Sequence, residues 1–142
     1  MTRVDFYILA DADEAQRQLY LCRMVDKAYR LGLRIWIHAP SPEHGATLDD
    51  RLWTFSQSSF VAHDRAGADD ATRAPVLIGD VRDIDSGRNL FVNEASDVPD
   101  AAQHFERVAE VVNNDPEVRR RGRAHFAYYR EQGFELHHHR ID

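Results

Sequence analysis

Two aspartates follow the first apolar segment of the chain and could support phosphoryl chemistry. Asp11 and Asp13 come directly after the run RVDFYILA. Such a pair can hold Mg²⁺ while one carboxylate attacks a phosphoryl group. Phosphatases of that kind also place Thr two residues after the second acid and use Lys to neutralise phosphate, whereas this chain has Ala15 there and Lys27 as its only lysine. A small Mg²⁺-dependent phosphoryl-transfer enzyme is therefore the alternative hypothesis, and helix capping is the predicted role of the two acids.

Histidine, cysteine and glycine predict neither a metal site nor a nucleotide site. His137, His138 and His139 are consecutive, so in a helix or strand their side chains do not converge on one ion. Cys22 is the only cysteine, which excludes an internal disulfide and leaves a Cys-based zinc site without ligands. No glycine precedes Gly32, so a glycine-rich phosphate cradle after the first strand is excluded. We expect no cofactor, no metal and no catalytic constellation.

Length and charge limit the classes of function. The chain has 142 residues, 43% of them hydrophobic, and we expect one domain over 1–142, with 136–142 left open as a flexible tail. The net charge of −6 repels nucleic-acid phosphates, so direct DNA binding is not expected. The first apolar run is too short for a signal peptide or a membrane span, and we expect a cytoplasmic protein.

The order of predicted elements indicates an α/β fold. Strands are predicted over 3–10 and 33–39, with a helix over 14–31 between them that Asp13 caps and Gly32 ends. This is a βαβ unit with parallel strands. The remaining predictions are a helix at 43–55, a strand-like piece at 59–63, a polar loop at 64–74, strands at 75–79 and 89–94, an amphipathic helix at 101–113, and a helix from Pro116 to about Gln132. The predicted fold is a three-layer αβα sandwich with a mostly parallel sheet and Rossmann-like topology.

Several separated motifs carry a more specific signal when they are taken in order. They are Phe6-Tyr7, Cys22 followed by Tyr29 and Gly32, Leu52-Trp53, Ser59-Phe60-Val61-x-His63, Ala74-Pro75-Val76 and Tyr129-Arg130-x-x-Gly133-Phe134. This order and spacing resembles the chi subunit family of bacterial DNA polymerase III over nearly the whole chain. The resemblance implies an αβα fold without an established nucleotide site.

The resemblance also implies an adaptor in DNA replication and repair at the replisome. Chi proteins bind the psi subunit of the clamp loader, or alternatively a helicase-like repair protein, through one surface. Through another surface they bind the acidic C-terminal tail of single-stranded-DNA-binding protein, which ends in Pro-Phe. The expected role is therefore that of an accessory subunit that is not itself an enzyme.

The predicted tail-binding surface is the last helix. Segment 116–133 holds five arginines and two glutamates, a net charge of +3 in a chain of −6. Guanidinium groups with interleaved aromatic side chains suit an acidic peptide that ends in Phe. The candidate residues are Arg121, Arg123, His125, Tyr128, Tyr129, Arg130, Gly133 and Phe134. The sequence does not decide whether the stripe of Arg119, Arg123, Phe126 and Arg130 or the neighbouring stripe of Val118, Gly122, His125 and Tyr129 faces the core.

The candidate surface for psi or the helicase-like partner contains Trp53, Phe60, Val61 and His63, which match the Leu-Trp and Phe-Val-x-His motifs of the family. Large aromatic side chains are effective interface anchors. Trp53 could equally pack beneath the sheet as a core residue. Phe60 is the stronger candidate for exposure, because polar residues flank it.

Overall fold

A seven-stranded sheet lies at the centre of the computed structural model, which describes residues 2–67 and 74–141. The strands are β1 (Arg3–Leu9), β2 (Ile35–His38), β3 (His63–Arg65), β4 (Val76–Gly79), β5 (Leu90–Asn93), β6 (Arg107–Val112) and β7 (Glu135–Ile141). The helices are α1 (Glu14–Arg30), α2 (Pro42–Thr54) and α3 (Pro116–Glu131). All neighbouring strands pair in parallel, in the order β3-β4-β2-β5-β6-β1-β7. The predicted αβα sandwich is confirmed.

The first strand, helix and strand form the predicted βαβ unit. The Asp13 carboxylate accepts a hydrogen bond from the Ala15 backbone N–H at 2.9 Å and so caps α1. Gly32 takes a positive φ of 85° after the last helical turn, a conformation that costs glycine little. Strands β1 and β2 run in the same direction, but β5 and β6 lie between them.

Side chains on the two faces of the sheet build two cores. Ile35 and Ile37 of β2 pack with the apolar side chains of α1 and α2 on one face. Trp36, between them in sequence, points to the opposite face, where Tyr129 of α3 is also buried. This alternation is the normal period of a strand. Of the three α-helices in the described residues, α1 and α2 cover one face of the sheet and α3 covers the other.

The predicted helix at 101–113 is wrong. A short 3₁₀ helix covers Asp100–His104, and strand β6 follows over Arg107–Val112. Val108, Val111 and Val112 are β-branched, and β6 is buried from Val108 onward because layers cover both of its faces. The segment was predicted as a helix because Phe105, Val108, Ala109 and Val112 recur at helical spacing.

Two boundary predictions also need correction. The strand predicted at 59–63 instead covers His63–Arg65, which lies at the edge of the sheet and overlaps the predicted loop at 64–74; positions 68–73 of that loop lie outside the described residues. Positions 136–141 of the segment left open as a flexible tail belong to β7, which pairs with β1 along Arg3–Leu9, and position 142 lies outside the described residues. The polar side chains of 136–142 had hidden the strand, because an edge strand need not be apolar. None of the described helices is long and apolar enough to cross a membrane.

Candidate functional site

An open groove lies beside α3 at the carboxyl ends of β1 and β7. Its volume is about 550 Å³. Phe6 and Ile8 of β1, Phe126 of α3 and Ile141 of β7 contribute apolar lining. Phe6 and Phe126 contact each other edge to face, with 5.5 Å between ring centroids. The groove can therefore receive an apolar side chain against a preformed aromatic wall.

Four basic side chains border this groove. Arg119 and Arg123 come from α3, and His138 and Arg140 come from β7. All four residues are exposed, and no side-chain hydrogen bond or salt bridge holds them within residues 2–67 and 74–141. None of the residues described along the groove carries a carboxylate. The chemistry therefore suits an anionic ligand that also has an apolar group.

The orientation of α3 follows from its caps and its buried stripe. Asp115 accepts hydrogen bonds from the backbone N–H groups of Glu117 and Val118, both at 3.1 Å. Gly122, His125 and Tyr129 are buried toward the sheet. A Cβ atom at Gly122 would lie 2.9 Å from Cγ1 of Val112, so glycine permits the close approach of α3 to β6. The other stripe, which contains Arg119 and Arg123, borders the groove.

A buried polar cluster holds α3 against the sheet. The Glu110 carboxylate accepts a hydrogen bond from the Tyr129 hydroxyl at 2.6 Å and contacts Nδ1 of His125 at 2.8 Å. The Asn93 amide donates to the same carboxylate at 3.1 Å. Nε2 of His125 lies 2.7 Å from the Ser96 carbonyl oxygen. Burial lowers the pKa of His125, but hydrogen bonding and attraction to Glu110 outweigh burial and raise it above the usual value.

The structure places the predicted tail-binding residues at different depths. His125 and Tyr129 are 4% and 0% exposed and are not among the residues that line the groove. Their polar atoms contact Glu110 and the Ser96 carbonyl oxygen, so they hold α3 against the sheet. Arg123 does line the groove. Arg130 is exposed, with its guanidinium carbon 6.0 Å from the centre of the Phe126 ring. Arg130 therefore extends the same flank by a cation–π contact.

The remaining predicted tail-binding residues lie elsewhere on α3. Arg121 and Tyr128 are half-buried and are not among the residues that line the groove. Gly133 ends the helix with a positive φ of 81°. Phe134 packs on Tyr129, with 5.3 Å between ring centroids. These four residues lie outside the groove, on another side of α3 or at its end. Of the predicted tail-binding residues, Arg123 lines the groove.

The second predicted surface lies at the end of α2 and in the segment that follows it. Trp53 and Phe60 are 53% and 64% exposed, and their rings are 5.8 Å apart. The His63 ring lies 4.6 Å from the Trp53 ring, and its Nε2 lies 3.0 Å from the Asp49 carboxylate. Val61 is buried and His63 nearly so. Trp53 and Phe60 thus form an exposed aromatic pair that the two buried residues support.

The candidate chemical groups have structural partners. The Asp11 carboxylate accepts a hydrogen bond from the Asp13 backbone N–H at 3.3 Å, and Asp13 caps α1. His137 and His139 lie on one face of β7, where they contact Glu135 and Asp5, and His138 points to the other face. Burial raises the pKa of the Cys22 thiol to about 12. In the described part of the chain, no group of three or more His, Cys, Asp and Glu residues could hold a metal ion.

Sequence reasoning missed the β7 side of the groove. His138 and Arg140 alternate with His137 and His139 along ELHHHRI, which is the period of a strand. That alternation was the available signal, but the polar composition of the segment obscured it. Arg119 was named in one of the two stripes of α3 but was not included among the predicted site residues, and it lines the groove.

Comparisons with known proteins identify relatives along the whole chain. The family described as DNA polymerase III chi subunit, HolC, matches residues 1–137. The DNA polymerase III subunit chi of Pseudomonas aeruginosa is 38% identical, over 99% of this chain and 98% of its own length. The Escherichia coli subunit chi is 28% identical, over 96% of each chain.

One solved structure is similar in fold alone. T4 UvsW superposes with a TM-score of 0.69 at 8% identity, over 99% of this chain. The matched region spans 41% of the UvsW chain. At this identity the likeness supports the α/β architecture and says nothing about activity. Together, the family match over 1–137 and the full-length relatives show that this chain belongs to the DNA polymerase III chi subunit family.

Proposed function

We propose that this chain is a non-catalytic accessory subunit of DNA polymerase III that joins two protein partners. One partner is the acidic C-terminal tail of single-stranded-DNA-binding protein, which the groove beside α3 would capture. The other is a psi-like subunit of the clamp loader, which would bind the Trp53–Phe60 pair. The observation that carries the proposal is the groove itself, where an apolar lining is bordered by unpaired basic side chains.

The groove and an acidic, Phe-ended peptide are chemically complementary. A terminal Phe ring can bury its area against Ile8 and Phe126, which are partly exposed in the groove. Arg119 and Arg123 can donate paired hydrogen bonds to carboxylates, including the terminal one. Since the whole chain carries a net charge of −6, this local cluster of positive charge is what allows an anionic peptide to approach.

The aromatic pair supports the second partner. Trp53 and Phe60 are among the few large apolar side chains that the described residues leave exposed. Large aromatic rings bury much area with few rotatable bonds, and Trp is enriched among the residues that dominate interface energies. The pair and the groove come from different elements, so both partners can bind at once.

The contacts of the two acids after β1 favour an adaptor over an enzyme. Asp11 and Asp13 serve as acceptors for local backbone N–H groups. A phosphoryl-transfer site would need these carboxylates for Mg²⁺ and would need a nearby lysine, while Lys27 lies toward the far end of α1. No observation favours the enzyme hypothesis over the adaptor.

A peptide titration tests the proposed function. A fluorescent peptide ending in Asp-Asp-Ile-Pro-Phe is titrated with the wild-type protein and with Arg123→Gln, and anisotropy is measured at 0.05 and 0.5 M NaCl. We expect Arg123→Gln to weaken binding by about 1–2 kcal/mol at low salt and high salt to weaken wild-type binding. Arg120→Gln is the matched control, because Arg120 is exposed on the same helix and pairs with Glu117 away from the groove.

Removing the peptide's terminal Phe should weaken binding more than replacing one Asp with Asn, because apolar burial is not screened by salt. Wild-type binding that is insensitive to salt, or equal binding by Arg123→Gln and Arg120→Gln, would place the peptide elsewhere on the protein.

A further inference from the structure

Strand β7 turns a regular alternation of side chains toward the groove. Leu136 packs into the core beneath α3, and His138 and Arg140 follow it on the same face and reach the groove. His137 and His139 lie on the other face, where His139 contacts the buried Asp5 carboxylate at 2.8 Å. The run of three histidines is therefore divided between two surfaces, and one histidine belongs to the groove.

Pairing with β1 fixes the position of these side chains. Phe6 of β1 is in register with His138, and Ile8 is in register with Arg140. These two groove side chains of β1 thus have basic neighbours on β7. His138, Arg140 and Ile141 lie beyond residue 137, where the family match ends.

We propose that β7 forms a second basic wall of the peptide groove, in which His138 and Arg140 contact carboxylates of the bound peptide in addition to those held by Arg119 and Arg123. This inference rests on the proposed capture of an acidic, Phe-ended peptide. The aromatic ring of the peptide lies on the partly exposed Ile8, between the two walls. The peptide's acids are consequently divided between α3 and β7, and neither wall alone gives full affinity.

Neighbouring residues of the same strand provide the test. His138→Gln and Arg140→Gln are compared with His137→Gln in the anisotropy titration, with a thermal melt for each variant. Because the substituted side chains at 138 and 140 are exposed, we expect unchanged melting and an affinity loss of about three- to tenfold for each groove variant. His137→Gln should bind like the wild type. Arg140→Lys should retain most of the affinity, because it keeps the charge.

A charge reversal tests directly whether Arg140 contacts an acid of the peptide. Arg140→Glu should bind the acidic peptide at least tenfold more weakly, and a peptide with Lys in place of one of the two Asp residues should recover part of that loss. If Arg123→Gln weakens binding but the β7 variants do not, β7 is no wall of the site and the proposed function stands. If the wild-type protein binds no acidic peptide, the proposed function fails and this inference fails with it.

Discussion

The guanidinium of Arg17 and the carboxylate of Glu94 form a bidentate pair at 2.6 and 2.8 Å, with both side chains at most 2% exposed. The same guanidinium also donates to the Glu14 carboxylate and to the Val111 carbonyl oxygen. Arg17 belongs to α1, and Glu94 directly follows β5. The pair thus occupies the carboxyl ends of the strands, where α/β sheets commonly bind ligands. The protein's own side chains fill this position.

Low pH should break the ion pair between Arg17 and Glu94, because Glu94 becomes protonated. Burial alone would raise the pKa of Glu94, but Arg17 and His44 lower it to about 2. A lowered folded-state pKa gives stability that is present above the unfolded value of about 4.5 and is lost as pH falls toward 2. We expect Glu94 to contribute about 2 kcal/mol to the stability that is lost between pH 7 and pH 3, as measured by urea unfolding.

The variant Glu94→Gln should be less stable than the wild type at pH 7 and should lose less stability as pH falls. Glu43→Gln is the matched control, because Glu43 is exposed at the start of α2. Parallel pH profiles for Glu94→Gln and the wild type would contradict the assignment.

The His125 contact should give a pH dependence of opposite sign. Its folded-state pKa is raised above the ordinary value, so its stabilising contribution is complete below about pH 6.5 and is lost as pH rises through the folded-state pKa. The difference in unfolding free energy between the wild type and His125→Gln should therefore shrink from pH 6 to pH 9. A difference that is constant over this range would show that His125 does not titrate with folding.

The aromatic pair can be tested separately from the groove. Phe60→Ala and Trp53→Ala should each weaken binding to a purified psi subunit, and the loss of binding free energy should be about 2 kcal/mol if the residue anchors the interface. Binding of the acidic peptide should not change. Since both rings are more than half exposed, unfolding free energies should change by less than about 1 kcal/mol. Isothermal titration and urea unfolding measure the two effects.

Leu31→Ala is the matched control for an exposed apolar side chain, because Leu31 is 71% exposed at the end of α1. Val61→Ala should instead destabilise the fold by about 1–3 kcal/mol, since Val61 is 1% exposed. An affinity for psi that none of the aromatic changes alters would move that interface to another surface.

The two acids after β1 should act only as local caps. Asp11→Asn with Asp13→Asn should cost at most about 1–2 kcal/mol of stability, because Asn can still accept the backbone hydrogen bonds. Binding of the acidic peptide should not change. Mg²⁺-dependent hydrolysis of a phosphoester by the wild type, abolished in this double variant, would revive the enzyme hypothesis; we expect none.

The sequence predicted the elements whose ends depend on residues close by in the chain. Asp13 and Gly32 mark the ends of α1, and Asp115, Pro116 and Gly133 mark the ends of α3. These ends were predictable because helix caps depend on residues within one turn of the helix end. The αβα class followed from the order of these elements. The separated motifs also led to the correct family, because that signal lies in residue types and spacing.

Tertiary structure decided the elements and residues whose partners are distant in sequence. Strand β6 has apolar residues at helical spacing, and its polar Glu110 finds the partners Asn93, His125 and Tyr129 only in the folded chain. Strand β7 is polar and became recognisable only through its pairing with β1. The buried stripe of α3 was set by the close approach of Gly122 to Val112. The sequence alone therefore determined the ends of α1 and α3, the fold class and the family, whereas long-range packing determined which basic side chains meet at the groove.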